Sequence, residues 1–192
     1  MNESVVGLYD ARFREQIRKR DFALNPIESL ALGYLTGTVL DLGCGLGNLS
    51  LEAARCGHRV VAVDAGRTAI ERIKTEAQRE GLSVHAIQAD IDTWGIDQQY
   101  GSIVAIGLLM YFQRERALGL LRSIQEHVSP GGRAVVNVLA PGATSTDMLD
   151  EDSCYLFPPD ELQEQFADWQ ILYLETDGAE VTVIAERAGQ VG

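Results

Sequence analysis

The sequence contains few cysteines, few basic residues and no long apolar run. Its three cysteines, Cys44, Cys56 and Cys154, include no Cys-x-x-Cys pair, so neither a disulfide framework nor a metal site is indicated. The longest apolar stretch, residues 103–112, is far shorter than the ~20 residues that span a bilayer. Residues 1–10 also lack the basic and then apolar order of a secretory signal. We therefore expect a soluble, cytoplasmic protein without a membrane partner.

Positive charge is scarce as well. The chain has 16 Lys and Arg against 28 Asp and Glu, which gives a formal net charge of −12. A field of this sign repels phosphate backbones and anionic lipids, so nucleic acid is not expected as a partner. The basic residues between 12 and 20 are interpreted as a solvated helix face. A small molecule remains the expected partner, and we expect a monomer or a homodimer.

Strand-like and helix-like segments alternate along the chain, which predicts a parallel sheet covered on both faces. A chain of 192 residues with 46% hydrophobic residues can bury one core. We predict one domain, 1–192, with an N-terminal helical cap at 1–36 and an α/β core at 37–192. Helices are predicted at 3–20 and 27–35, and strands at 38–42, 59–64, 83–89, 102–108 and 133–139. Two β-rich runs, 170–175 and 181–186, predict a C-terminal antiparallel hairpin.

The strongest local signal lies between the first predicted strand and the next helix, where the sequence reads Asp41-Leu42-Gly43-Cys44-Gly45-Leu46-Gly47-Asn48. Glycines let the backbone approach a ligand that a Cβ would exclude, and a helix start offers free N–H groups to a carboxylate. The glycine spacing, with Asn48 after the last glycine, differs from the Gly-x-Gly-x-x-Gly of dinucleotide sites. The loop also lacks the Gly-Lys-Ser/Thr of a triphosphate site.

Three aspartates end three successive predicted strands. Asp41 suits a ligand with an ammonium and a sulfonium group, because opposite charges attract in a partly dry cleft. Asp64 follows Gly43 by 21 residues and can accept hydrogen bonds from a ribose diol. Asp90 could accept from an adenine amino group while the Ile91 N–H donates to the ring. The alternative for each aspartate is the capping of a turn.

These residues resemble the class I S-adenosylmethionine-dependent methyltransferases. The segment Asp41-Leu42-Gly43-Cys44-Gly45-x-Gly47 is similar to the first motif of that superfamily, and Asp64 and Asp90-Ile91 match its ribose and adenine positions. Other segments resemble the tellurite-resistance, TehB-like group: Leu108-Leu109-Met110-Tyr111-Phe112, Ser129-Pro130-Gly131-Gly132, and Phe157-Pro158 with Glu161-Leu162. One departure is Gly101, where the group commonly has an aspartate at the start of the fourth strand.

The resemblance implies a Rossmann-like, doubly wound sheet of seven mostly parallel strands that ends in an antiparallel hairpin. It also implies S-adenosyl-L-methionine as the cofactor. The expected cofactor-binding residues are Asp41, Gly43, Cys44, Gly45, Gly47, Asn48, Asp64, Ala65, Asp90, Ile91 and Ile106.

The implied activity is methyl transfer to a small-molecule acceptor, which requires mainly alignment of the acceptor and exclusion of water. An amine or hydroxyl acceptor would also need a base. The histidines are predicted on the opposite side of the sheet, and the candidates near the cleft, Tyr9, Tyr111 and Cys154, are weak bases at best. We therefore leave the catalytic residues unassigned and predict a soft acceptor, a thiol or a chalcogen oxyanion. Tyr9 could also close the site as part of a lid.

Two other functions remain open from the sequence. A nicotinamide-dependent oxidoreductase shares the strand-loop-helix unit, although Asn48 replaces its third glycine. A non-catalytic protein that binds S-adenosylmethionine is the second alternative. A nucleic-acid methyltransferase is disfavoured, because residues 107–110 read Gly-Leu-Leu-Met instead of Asn/Asp-Pro-Pro-aromatic.

Overall fold

The structure is a computed structural model, and it describes residues 3–143 and 154–189. The chain begins with two helices, α1 (Glu3–Lys19) and α2 (Pro26–Leu32). Helix α2 starts at a capping box, in which the Asn25 side chain accepts from the Glu28 N–H and the Glu28 carboxylate accepts from the Asn25 N–H. In the described residues, no helix is long and apolar enough to cross a membrane.

Seven strands form one sheet in the order β3-β2-β1-β4-β5-β7-β6. Strands β1 to β5 are parallel: β1 (Val39–Leu42), β2 (Val60–Asp64), β3 (Val84–Gln88), β4 (Tyr100–Ile106) and β5 (Val128–Leu139). The helices among them are α3 (Asn48–Arg55), α4 (Arg67–Glu80) and α5 (Arg114–His127), with a 3₁₀ turn (Leu109–Tyr111) before α5. After α6 (Pro159–Glu164), β6 (Gln170–Asp177) and β7 (Glu180–Glu186) form an antiparallel hairpin, and β7 pairs with β5. The predicted fold class is confirmed.

The sheet separates two hydrophobic clusters. Leu40 and Ile103 pack with residues of α5 and α6, whereas their neighbours Val39 and Val104 pack with residues of α2, α3 and α4. Successive side chains of a strand point to opposite faces, so this alternation gives three layers. Near-continuous apolar strands are typical of a parallel sheet that is buried on both faces.

The strand order creates a crevice beside β1. The chain proceeds outward from β1 to β2 and β3, and then returns to the other side of β1 as β4. The connections after β1 and β4 therefore diverge at the carboxyl ends of the strands, which is where open α/β sheets bind their ligands. This edge carries the glycine loop and the end of β2.

Strand β5 starts earlier than the predicted position, 133. It includes residues 129–132, which the sequence suggested as a break, and its register with β4 shifts between Tyr100 and Ser102. The backbone is crowded there, since a Cβ on Gly132 would lie 2.6 Å from the Gly101 carbonyl oxygen. Gly101 is crowded in turn, because its own Cβ would lie 2.4 Å from the Thr36 carbonyl oxygen. The close approach of the segment at residue 36 explains why glycine replaces the aspartate expected at 101.

Candidate active site

A cavity of about 610 Å³ lies at the carboxyl ends of β1, β2 and β4. Helix α1 and the segment from residue 21 to 28 complete its wall. This volume lies within the usual range of small-molecule sites. Eight of the predicted cofactor-binding residues line the cavity: Asp41, Gly43, Cys44, Gly45, Asn48, Asp64, Ala65 and Ile106.

The glycine loop is shaped by backbone that only glycine adopts easily. Gly43, Gly45 and Gly47 have φ values of 67°, 52° and 73°. A Cβ on Gly43 would lie 2.9 Å from Leu108 Cδ1, and one on Gly47 would lie 2.4 Å from Ile73 Cγ1. Gly47 is not among the cavity-lining residues, so its role in the structure is to let the loop pack on α4.

Asp64 anchors this loop to the end of β2. Its Oδ2 accepts the Gly45 N–H at 2.9 Å, and its Oδ1 accepts the Gly66 N–H at 2.7 Å. Burial raises the pKa of Asp64, and the two backbone hydrogen bonds oppose that rise. Each carboxylate oxygen keeps a second acceptor position, so a fixed Asp64 can still accept hydrogen bonds from a ligand.

Asp41 is buried on the cavity wall, with 5% of its surface exposed. Its Oδ2 accepts a hydrogen bond of 2.6 Å from the Ser50 hydroxyl. Burial raises the pKa of Asp41 to about 7, and the negative charges of Glu28 and Asp64 act in the same direction, against the hydrogen bond from Ser50. The cavity lining includes four carboxylates, those of Asp21, Glu28, Asp41 and Asp64, and no Lys, Arg or His from the described part of the chain. Such a lining suits a cationic ligand.

Two further side chains line this part of the cavity, those of Cys44 and Asn48. Burial raises the pKa of the Cys44 thiol well above its usual value, so the thiol is neutral at physiological pH. The Asn48 Oδ1 atom is buried and accepts no hydrogen bond from the described residues, while its Nδ2 donates weakly to the Ala23 carbonyl at 3.5 Å. A buried acceptor of this kind calls for a donor from a bound molecule.

A second part of the cavity lining is aromatic. Tyr9 of α1 and Tyr111 of the 3₁₀ turn meet edge to face with their ring centroids 5.6 Å apart, and their hydroxyls are hydrogen-bonded to each other. Phe13 lies on the glycine loop, since a Cβ on Gly45 would be 3.5 Å from its ring. Burial raises the pKa of Tyr111, so this hydroxyl stays protonated and is a hydrogen-bond donor rather than a base.

Helix α1 is also attached to the first turn of α4. The Asp10 Oδ1 accepts the Thr68 N–H at 3.0 Å, and Asp10 Oδ2 is 2.5 Å from Arg14. Gly66, at the N-cap of α4, has no side chain for this purpose, so Asp10 caps α4 from another helix. Burial raises the pKa of Asp10, but the hydrogen bonds from Thr68 and the charge of Arg14 outweigh it and lower the pKa.

The structure leaves some predicted residues away from the cavity. Asp90 and Ile91, at the end of β3, do not line it: an Asp90 oxygen accepts the Asp92 N–H at 3.0 Å, and Ile91 is buried in the core. Cys154 is half-buried and also lies outside the lining. None of the three histidines lines the cavity, and His58 contacts the Gly37 carbonyl at the other edge of the sheet.

The sequence interpretation missed two acidic groups on the cavity wall, those of Asp21 and Glu28. Glu28 stands three residues after Asn25, a spacing that signals only a capping box, and Asp21 follows a helix end. No local pattern could connect either residue with the glycine loop, because the contact depends on how α2 packs against α3 and β4.

Comparisons with known proteins agree with this geometry. A family model described as "Tellurite resistance protein TehB" matches residues 28–189. The chain belongs to the TehB family. The predicted resemblance to TehB-like class I methyltransferases is thereby confirmed.

Relatives of the TehB family share this fold. A protein of Haemophilus influenzae named probable S-adenosyl-L-methionine-dependent methyltransferase TehB is 27% identical over 154 residues, which are 80% of this chain and 53% of that protein. The chain thus spans about half the length of this curated relative. The crystal structure of TehB from Haemophilus influenzae superposes with a TM-score of 0.76 at 22% identity, covering 90% of this chain and 65% of that one. The complex of DhpI with S-adenosylhomocysteine (SAH) superposes with a TM-score of 0.70 at 22% identity, covering 98% and 97%.

Proposed function

We propose that the chain is an S-adenosylmethionine-dependent methyltransferase that acts on a small acceptor. The observation that carries this proposal is the acidic, glycine-floored cavity at the ends of β1, β2 and β4. Membership of the TehB family, whose curated relative is named as such a methyltransferase, supports it. The net charge of −12 and the acidic lining disfavour nucleic acid as the acceptor.

The residues of the cavity fit the cofactor. S-adenosylmethionine, when bound, supplies a methyl group on a positively charged sulfur. Asp64 would accept hydrogen bonds from the ribose hydroxyls with the acceptor positions that Gly45 and Gly66 leave open. Asp41 would face the cationic end, and Gly43 and Gly45 would allow the backbone to approach. The adenine contacts of Asp90 and Ile91 remain a prediction.

The chain's own tasks in the reaction are alignment and the exclusion of water, which together can supply ~7–11 kcal/mol of the barrier reduction. Helix α1 contributes Tyr9 and Phe13 to the wall above the glycine loop, and Asp10 holds α1 on α4. We propose on this basis that residues 1–36 act as a cap on the core of residues 37–192. The cytoplasm remains the predicted place of action.

The acceptor is proposed to be a soft nucleophile. The described lining offers no Lys or His, Tyr111 stays protonated, and both Asp41 and Asp64 are engaged in hydrogen bonds. An acceptor that must first lose a proton to a base is therefore poorly served. A thiol, with an ordinary pKa of about 8.5, is already ionised in a few per cent of molecules at pH 7 and can lose its proton to water, so it needs no base from the cavity lining. The family description, tellurite resistance, supports a chalcogen oxyanion instead.

A panel of acceptors with methyl-labelled S-adenosylmethionine tests the proposal. We expect methylation of thiols or of the chalcogen oxyanions selenite and tellurite. Amines should not be methylated. Turnover of amines but of neither soft class would refute the soft acceptor. Binding of S-adenosylmethionine without transfer to any acceptor would favour the non-catalytic binder, and binding of a nicotinamide nucleotide in its place would favour the oxidoreductase.

A further inference from the structure

Helix α2 brings a carboxylate to the cavity beside Asp41. Glu28 is half-buried, lines the cavity, and interacts electrostatically with Asp41. Its Oε2 accepts the Asn25 N–H at 2.8 Å, and the Asn25 Oδ1 accepts the Glu28 N–H at 2.8 Å. The capping box thus holds the carboxylate in place, and one of its oxygens is sufficient for that purpose.

Three side chains with acceptor oxygens, from three elements, line the same cavity: Glu28 of α2, Asp41 of β1 and Asn48 of α3. The Asn48 Oδ1 atom is buried and accepts nothing from the described residues. Neither Glu28 nor Asp41 forms an ion pair with a Lys, Arg or His in residues 3–143 and 154–189. Two carboxyl groups and an amide oxygen without a donor match an ammonium group, which has one positive charge and three N–H donors.

We propose that Glu28, with Asp41 and Asn48, forms the subsite for the α-ammonium group of the cofactor's amino-acid tail, and that occupancy of this subsite releases a proton from the protein. The inference rests on the proposed function, because it assigns one part of the same cavity. Glu28 lies outside the first motif, whereas Asp41 belongs to it. Glu28 therefore adds a carboxylate to this subsite that the motif alone does not provide.

The proton release follows from the surroundings of Asp41. The groups that face it are the carboxylates of Glu28 and Asp64, the neutral thiol of Cys44 and the hydroxyl of Ser50. Burial raises the pKa of Asp41 to about 7, so part of the population holds this proton at neutral pH. An ammonium group favours the ionised carboxylate and lowers that pKa again. The affinity therefore rises with pH through about 7, as long as the α-amino group of the ligand stays protonated.

The substitution Glu28→Gln removes the negative charge of the side chain but keeps an oxygen that can accept the Asn25 N–H at the start of α2. Glutamine serves in a capping box as glutamate does, so the variant should fold and melt as the wild type does. Glu71→Gln on α4 is the matched control, because it removes the same charge from an exposed residue paired with Arg67 and outside the cavity.

The experiment is calorimetric titration with S-adenosylmethionine, SAH and 5′-methylthioadenosine, which lacks the amino-acid tail. Titrations at pH 7 in two buffers of different ionisation enthalpy measure the protons released. For the wild type we expect release of a measurable fraction of a proton with the first two ligands and almost none with the third. For Glu28→Gln we expect roughly tenfold weaker binding of the first two, unchanged binding of the third, and a pH midpoint moved to lower pH. Glu71→Gln should match the wild type.

Three results would overturn the inference alone. The first is equal weakening of 5′-methylthioadenosine by Glu28→Gln, and the second is unchanged affinity and proton release in that variant. The third is weaker binding of S-adenosylmethionine without weaker binding of SAH, which would assign Glu28 to the sulfonium. A wild-type protein that binds neither ligand would instead refute the proposed function, and the inference with it.

Discussion

The two walls of the cavity are built differently. On the wall of the proposed cofactor site (the cofactor wall), backbone N–H groups and a serine hydroxyl fix Asp64 and Asp41, and glycines set the path of the loop. On the aromatic wall, Tyr9, Phe13 and Tyr111 are held by ring contacts and one pair of hydroxyls. The first wall is preorganised by the parallel sheet and selects by charge. The second depends on α1, so substitutions there can change the acceptor without rebuilding the cofactor site.

The largest effect that tests this difference is expected from Gly47→Ala. The new Cβ would lie 2.4 Å from Ile73 Cγ1, and the residue has a φ of 73°. Crowding and backbone strain together should cost about 2–5 kcal/mol of unfolding free energy and abolish measurable binding of SAH. Urea denaturation and calorimetric titration measure both quantities.

Gly81→Ala is the matched control for that variant. Gly81 has a similar φ of 66°, but among the described residues no atom beyond its chain neighbours lies within 4 Å of the position that a Cβ would take. The variant should therefore lose only the strain component, about 1 kcal/mol, and keep its affinity for SAH. Equal losses in the two variants would show that contact of the loop with α4 does not shape the cofactor wall.

A smaller effect is expected from Asp64→Asn. The amide group would set an N–H donor against the N–H of either Gly45 or Gly66, which now donate to the two carboxylate oxygens. The loop would lose one anchor, and we expect SAH to bind roughly 10–100-fold more weakly. Asp97→Asn, at an exposed residue outside the cavity, is the control. Unchanged binding by Asp64→Asn would remove the proposed ribose contact.

The smallest effect is expected on the aromatic wall. Tyr111→Phe removes a hydroxyl that is hydrogen-bonded to the Tyr9 hydroxyl. We expect kcat to fall about 3–10-fold and the Kd of SAH to change less than about twofold, because the hydroxyl pair orients α1 rather than the cofactor. Tyr9→Phe should have the same effect, and the double variant should be no worse than either single variant. A double variant whose losses add would show that the two hydroxyls act separately.

The sequence was informative wherever the pattern is local. Apolar runs and glycine spacing placed β1, the loop and α3 close to their observed positions, and Asp64 was identified at the end of β2. The start of β5 was predicted wrongly, because its crowded segment pairs with β4 through a register shift that periodicity does not show. The position of Glu28 in the cavity lining was not predicted for a related reason. It lines the cavity together with residues that are far from it in the sequence.

The crowding at Gly101 predicts a structural difference between this chain and relatives that have a larger residue at this position. The Thr36 carbonyl occupies the space into which any side chain at 101 would project, at 2.4 Å from its first carbon. A homologue with aspartate at this alignment column must therefore route the connection between α2 and β1 along another path. Substitutions at 101 and in residues 36–37 should covary across an alignment, and the residue at 101 then indicates which of the two paths a given relative has adopted.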